Sequence, residues 1–261
     1  MAAASSRGKD NTVWFVGAGP GDPELITLKG KRLLEEADLV VHAGSLVDPA
    51  LLSHCAGAEL MDSAGMDLGA IVAAMVAGYR AGRRVVRLHS GDPAFYGAIK
   101  EQIARLRAEG VAFAVAPGVT SLSAAAAALE SELTVPGVSQ TVIITRAEGR
   151  TPVPGRESLG RLSAHGATMA VFLSAGLAAK VQEQLLEGYP PETPIAVVQN
   201  ASRPGQVILR TSVGALAADM EAAGIQRTAI ILVGETLAQQ GEDSRLYDSG
   251  FSHGYRKSDE G

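Results

Sequence analysis

The sequence predicts an α/β protein made of two α/β domains. Three observations carry that expectation. Short runs of apolar and β-branched residues alternate with helix-length patterns, as in strands joined by helices. Glycine turns close two of the runs at their C-terminal ends, which is where open α/β sheets bind ligands. The alternation then restarts beyond Pro117-Gly118, which sets a boundary near residues 117–120. The expected organisation is an arm over 1–11, domains over 12–117 and 118–240, and a loose tail over 241–261. A ligand is expected in the cleft between the two domains.

In chain order, strands are expected at Val13–Val16, Leu39–His42, Glu59–Met61, Val85–His89 and Val111–Val115. Helices are expected at Pro23–Glu36, Asp67–Tyr79 and Ala94–Glu109. Asp22-Pro23 and Asp92-Pro93 each read as a helix start, with aspartate as cap and proline in the first position. This alternation implies a parallel sheet with helices on its faces. An alanine-rich helix runs to Ala128, and its small side chains imply close approach to a sheet or ligand. Further strands follow at Thr141–Thr145, Met169–Leu173, Ile195–Gln199, Val207–Arg210 and Ala229–Val233, with helices at Gly176–Glu187 and Val213–Ala223. Prolines 152 and 154 make 150–156 a loop.

Composition bounds the function. Hydrophobic residues make up 46% of the 261, so a substantial core is expected. No apolar run approaches the roughly 20 residues of a membrane span, and Met1–Asn11 lacks the apolar core of a signal peptide. A net charge of −5 argues against a nucleic-acid partner. One cysteine, Cys55, excludes an internal disulfide and fits a reducing cytoplasm. His42, His54 and Cys55 match no metal-ligand spacing, so no metal is expected. Hydrolase, kinase and zinc-peptidase signatures are missing.

The first turn, Gly17-Ala18-Gly19-Pro20-Gly21-Asp22, looks like a dinucleotide fingerprint but carries Asp22 where the third glycine belongs. A carboxylate there repels a pyrophosphate that a helix N-terminus would otherwise attract. The turn therefore points to a nucleoside-like ligand without phosphates. A second turn, Ser90-Gly91-Asp92-Pro93, closes the Val85–His89 run. Thr120 and Ser121 follow a third turn, where hydroxyls either cap the helix or bond a ligand. Arg87 and His89 share one strand face. Arg146, Arg150, Arg156 and Arg161 surround the proline loop. Such arginines are either solvated surface charges or receivers of carboxylates.

At these residues the chain resembles the tetrapyrrole methylase family. The first motif runs Gly17-Ala18-Gly19-Pro20-Gly21-Asp22-Pro23-Glu24-Leu25-Ile26-Thr27, the second Arg87-Leu88-His89-Ser90-Gly91-Asp92-Pro93-Ala94-Phe95-Tyr96-Gly97-Ala98. Ala43-Gly44-Ser45-Leu46-Val47, Leu133–Arg146 and Gly149–Pro154 resemble the branch that methylates ring carbon 11 of precorrin-4 in cobalamin synthesis. The likeness runs from about Val13 to Leu237. It implies S-adenosylmethionine as cofactor, S-adenosylhomocysteine as its product, a tetrapyrrole substrate and a homodimer. By this resemblance Pro20, Ser90, Gly91, Asp92, Phe95, Thr120, Ser121, Leu173, Ala201 and Ala229 contact the cofactor. The substrate's carboxylates are expected at Arg87, His89, Arg146 and Arg150. A sulfonium methyl donor and a nucleophilic ring carbon need no catalytic acid or base, and none is expected. Two departures stand out: His42 replaces the branch's usual tyrosine, and Arg203 replaces a frequent tryptophan in Ser202-Arg203-Pro204. A cobalt-precorrin-4 or uroporphyrinogen-III methyltransferase and a nonenzymatic tetrapyrrole carrier are the alternatives.

Overall fold

A computed structural model describes residues 11–238, 241, 244, 251, 252 and 254–257. The arm and most of the tail expected from the sequence lie outside the described residues. The chain divides into two compact units, Met1–Ser121 and Leu122–Gly261.

The first unit is a parallel sheet of β1 (Val13–Gly17), β2 (Leu39–His42), β3 (Glu59–Asp62), β4 (Val85–His89) and β5 (Phe113–Ala116), in the order β3-β2-β4-β1-β5. Its connections include α1 (Leu28–Glu35), α2 (Pro49–Leu52), α3 (Leu68–Arg80) and α4 (Ile99–Ala108). Strand alternation sends Val13, Phe15, Leu39, Val41 and Val85 to one face, against Met75 of α3 and Leu106 of α4. Val16, Val40, Val86 and Leu88 go to the other, against Leu34 of α1 and Leu51 of α2. With both faces covered, the central strands are apolar throughout.

Two expected helix starts are corrected. The helix expected over Pro23–Glu36 is a single 3₁₀ turn, Pro23–Leu25, then extended Ile26, then α1. Asp22 caps the short turn by accepting from the Glu24 amide, while Thr27 Oγ1 caps α1 through the Gly30 amide. Each cap starts its own element, so the pattern divides in two. The helix expected from Ala94 begins at Ile99, because Tyr96 (φ +56°) and Ala98 (φ +49°) are left-handed and interrupt it.

The second unit opens with α5 (Ser121–Ala128), whose first residue belongs to the first unit. Its sheet holds β6 (Val142–Arg146), β7 (Thr168–Phe172), β8 (Pro194–Gln199), β9 (Val207–Ser212) and β10 (Ala229–Val233), ordered β6-β7-β10-β8-β9. The helices are α6 (Leu159–Ser163), α7 (Ala178–Leu185) and α8 (Leu216–Ala222). This sheet is mixed: β6 and β7 are parallel, but β10 runs antiparallel to β7 and β8, and β9 antiparallel to β8. The short helix-free link from β8 to β9 fits an antiparallel pair, since parallel neighbours need a long crossover. Met169, Val171, Ile195, Val197, Ile231 and Val233 pack against α7 and α8. The opposite face carries Ala170 and Ala196 against Ala124 and Ala125 of α5. The small side chains of α5 therefore serve close helix–sheet packing. Among the described residues no helix is long and apolar enough to cross a membrane.

Candidate functional site

In the first unit β1 and β4 are neighbours, yet their chains leave in opposite directions. β1 leads into α1 on one face and β4 into α4 on the other. Such a reversal opens a crevice at the strands' C-terminal ends. The turns after β1, β4 and β5 meet there.

They are locked together through backbone. The Gly19 amide donates to the Gly91 carbonyl at 3.2 Å, and the Gly91 amide returns a bond to Gly19 at 2.7 Å. The Ala18 amide donates to the His89 carbonyl at 2.7 Å. Asp92 Oδ2 accepts from the Gly118 amide at 3.0 Å while Oδ1 accepts from Ala94 at 2.7 Å. A Cβ on Gly17 would fall 2.6 Å from Gly118 Cα and from the Gly91 carbonyl oxygen. A Cβ on Gly118 would collide with the Gly91 carbonyl oxygen and with the Gly17 backbone. Gly17 and Gly118 are thus glycine because three backbones touch. Gly91 differs: its φ is +63°, and among the described residues nothing beyond Gly91 and its two chain neighbours lies within 4 Å of where a Cβ would sit. The space beside it is open.

Around these turns Pro20 is buried, and Ser90, Asp92, Thr120 and Ser121 are half-buried. Phe95, one turn beyond Asp92, keeps 39% of its surface exposed. The segments 17–27, 90–98 and 117–121 contain no lysine or arginine. They offer peptide groups, hydroxyls, the Asp22 and Asp92 carboxylates and an aromatic face. That set fits a nucleoside carrying a positive centre, and gives a pyrophosphate no cation to bind.

Arg87 and His89, expected to receive substrate carboxylates, are each only 5% exposed. Arg87 donates to Gln102 Oε1 (3.2 Å), the Val41 carbonyl (3.2 Å) and Ser63 Oγ (3.0 Å). Its donors turn to protein, so the substrate role is withdrawn from it. Burial lowers its pKa to about 10. His89 stacks on Phe15 with ring centroids 6.0 Å apart, and its buried Nε2 has no hydrogen-bond partner. Burial, then the charge of Arg87, lowers its pKa to about 3, so the ring is neutral near pH 7. The shared face of these two residues is the packed face of the sheet, and the carboxylate role is withdrawn from His89 too. His42, at the end of β2, also has a buried Nδ1 without a partner.

In the second unit the strand registers pair Arg146 with Phe172, Val171 with Ile231, Ala229 with Gln199, and Gln199 with Val207. Arg146, Leu173, Ala201 and Ala229 therefore lie along one sheet edge. Of the seven non-glycine residues with positive φ among the described residues, four sit at this edge: Leu173 (+54°), Asn200 (+51°), Ser202 (+62°) and Thr228 (+53°). Leu173 holds 70% of its surface exposed in that conformation. Strain of this kind gathers at ligand clamps and active sites. Ala201 is buried and Ala229 half-buried. Arg146 donates to the carbonyls of Ala147, Thr151 and Pro152 at 3.3, 3.2 and 2.7 Å. It clamps the proline loop, a role the sequence reading missed. Arg150 and Arg161 are exposed, and Arg156 pairs with Glu157 at 3.6 Å. Among the described residues no three His, Cys, Asp or Glu side chains group to hold a metal ion.

Sequence reasoning also missed the Asp92–Gly118 bond and the Arg87 network. Both join residues far apart in the chain, and no local pattern marks them. Asp92 was read as a helix cap, which explains one of its two oxygens.

The class of this α/β chain is shown by its similarity to known proteins. Residues 12–217 match the tetrapyrrole (corrin/porphyrin) methylases, and the chain belongs to that family. It is 51% identical to the cobalt-precorrin-4 C(11)-methyltransferase of Methanocaldococcus jannaschii, over 94% of this chain and 96% of that one. To the precorrin-4 C(11)-methyltransferase of Pseudomonas aeruginosa it is 47% identical, over 94% and 98%. Among solved structures, a cobalt precorrin-4 methyltransferase of cobalamin biosynthesis superposes with a TM-score of 0.86 at 48% identity, covering 90% of this chain and 99% of that one. A uroporphyrin-III C-methyltransferase of Thermus thermophilus in complex with S-adenosylhomocysteine gives 0.75 at 30% identity, covering 88% and 100%.

Proposed function

We propose that this chain is a C-methyltransferase of cobalamin synthesis that uses S-adenosylmethionine to methylate carbon 11 of precorrin-4, giving precorrin-5. The observation that carries the reading is the open space beside Gly91, among turns that contain no lysine or arginine, in a chain about half identical to C(11)-methyltransferases. The cobalt-bearing substrate is the second reading, favoured by the 51% relative and the TM-score 0.86 neighbour.

S-adenosylmethionine supplies a methyl group already activated by a sulfonium charge. The protein's part is to hold, align and dry. In the first unit Pro20, Ser90, Gly91, Asp92, Phe95, Thr120 and Ser121 are the proposed cofactor residues; in the second unit, taken by itself, Leu173, Ala201 and Ala229 are proposed as cofactor contacts. Interlocked backbones place the turns without side-chain freedom, and such alignment is what an in-line displacement requires. The electron-rich ring supplies the nucleophile. Arg150, exposed beside the proline loop that Arg146 shapes, receives a substrate carboxylate. The working form is a cytoplasmic homodimer.

Calorimetry with S-adenosylhomocysteine and with NAD tests the cofactor. Micromolar affinity for NAD and none for S-adenosylhomocysteine would overturn the reading. Labelled-methyl transfer to metal-free and cobalt-bearing precorrin-4, followed by product mass and metal content, assigns the substrate and separates an enzyme from a carrier.

A further inference from the structure

Arg87 is the only Lys, Arg, Asp or Glu among the described residues that is buried. None of the ion pairs among the described residues includes it: it donates to an amide oxygen, a carbonyl and a hydroxyl. A buried charge is a poor way to add stability, because an apolar side chain of similar size often does as well or better. Its effect should therefore be sought in what it arranges.

What it arranges is the C-terminal edge of the first sheet. From β4, Nη1 reaches the Val41 carbonyl in β2 and Ser63 Oγ just after β3. Ser63 Oγ in turn donates to the His42 carbonyl at 2.7 Å. On the other side Nε donates to Gln102 Oε1 in α4, and Gln102 Nε2 donates to the Ala98 carbonyl at 3.0 Å. One chain of bonds thus runs from His42 through Ser63, Arg87 and Gln102 to Ala98. It ends on the loop that carries Phe95. That loop holds Tyr96 and Ala98 in left-handed conformations, and its fold brings Gly97 against the Pro93 backbone. Left-handed non-glycine residues persist only where the surroundings over-determine them.

We propose that Arg87 is a positioning residue, bracing the segments after β2, β3 and β4 so that the 90–98 loop is presented in one arrangement to its ligand. The ligand half of this inference rests on the cofactor reading above; the bracing half does not.

Two variants separate the halves. Gln102→Glu still accepts from Arg87 but, as a carboxylate, has no hydrogen to give the Ala98 carbonyl. Arg87→Met removes the hub and keeps apolar volume. Each is measured for thermal unfolding, for hydrogen–deuterium exchange of amides 94–98 without ligand, and for S-adenosylhomocysteine affinity. The expected result for both is an unfolding temperature near wild type, exchange over 94–98 faster by about tenfold or more, and affinity weaker by about tenfold, each a modest local opening. Unchanged exchange over 94–98 overturns the proposal. So does faster exchange spread over the whole first unit with a fallen unfolding temperature, which marks a merely structural role. Faster local exchange with wild-type affinity overturns the ligand half. If the wild-type protein itself fails to bind S-adenosylhomocysteine, the cofactor reading falls, and the exchange data alone still decide whether Arg87 braces the loop.

Discussion

The turns after β1, β2 and β4 in the first sheet reverse at Gly19, Gly44 and Gly91, all with positive φ. At the edge described in the second sheet, the corresponding conformations fall on Leu173, Asn200, Ser202 and Thr228. The two edges differ in emphasis and not absolutely, since the first also holds Tyr96 and Ala98 left-handed and the second has Gly205. In the first, backbones touch one another, and a Cβ at Gly17 or Gly118 has nowhere to go. In the second, side chains are kept at a conformational cost of about 1–2 kcal/mol each. Glycine marks where the backbone itself is the contact surface. A strained leucine marks where the side chain is. The edges also differ in charge: the first buries Arg87 and His89, while the second leaves Arg150 exposed.

The sharpest way to break this comparison is Gly118→Ala. Its Cβ meets only backbone, so overpacking should destabilise the protein by about 3 kcal/mol, the upper end for a well-packed site. Denaturant unfolding measures it, and a loss under about 1 kcal/mol would show that the three turns are not tightly locked.

Next in size is a pH effect from the buried histidine. The unfolded His89 takes a proton near pH 6.5, whereas the folded residue does so only near pH 3. Between those values the unfolded state binds more protons, so stability falls as pH falls. From pH 7 to pH 5 the wild type should lose about 2 kcal/mol more than His89→Leu does. Chemical denaturation at both pH values reads the difference, and parallel slopes would refute a buried neutral ring. The same variant should lose less than about tenfold in kcat, below the 10²–10⁴-fold range of a general acid or base.

A matched pair comes third. Gly91→Ala should destabilise by about 1 kcal/mol from φ alone, since its Cβ meets open space. Leu173→Gly should stabilise by up to about 1 kcal/mol by releasing strain, and yet weaken S-adenosylhomocysteine binding. If Leu173→Gly binds like wild type, the second edge keeps its strain for some other reason.

The smallest effect is expected at Arg150. Arg150→Ala should leave unfolding unchanged and raise the tetrapyrrole KM, with a shift that shrinks at high salt because exposed charges are screened. Cofactor affinity should stay at the wild-type value. A fall in it would move Arg150 into the cofactor site.

The strands and the first two glycine turns were legible because each depends on a local pattern. All ten strands among the described residues fall where alternation and apolar runs place them, within a residue or two, as the shift of Val111–Val115 to Phe113–Ala116 illustrates. Helix starts were less legible. Asp-Pro signals a cap, but not whether a full helix follows, and Thr27, Tyr96 and Ala98 decided that instead. The arginines were the least legible: the sequence put Arg87 on an apolar strand and Arg150 in a proline loop, but which side chains meet protein and which meet solvent depends on partners remote in the chain.

By itself the sequence determined the alternation of elements, the parallel character of the first sheet and the family. These follow from side-chain periodicity and from contiguous motifs. Only the tertiary structure decided that the second sheet is mixed, that Gly17 and Gly118 answer to each other's backbone, that Asp92 binds Gly118, and that Arg87 faces Gln102 and Ser63. Each joins residues that are remote along the chain and meet only once the sheet has formed, so their pairing is a property of packing that no local run of residues encodes.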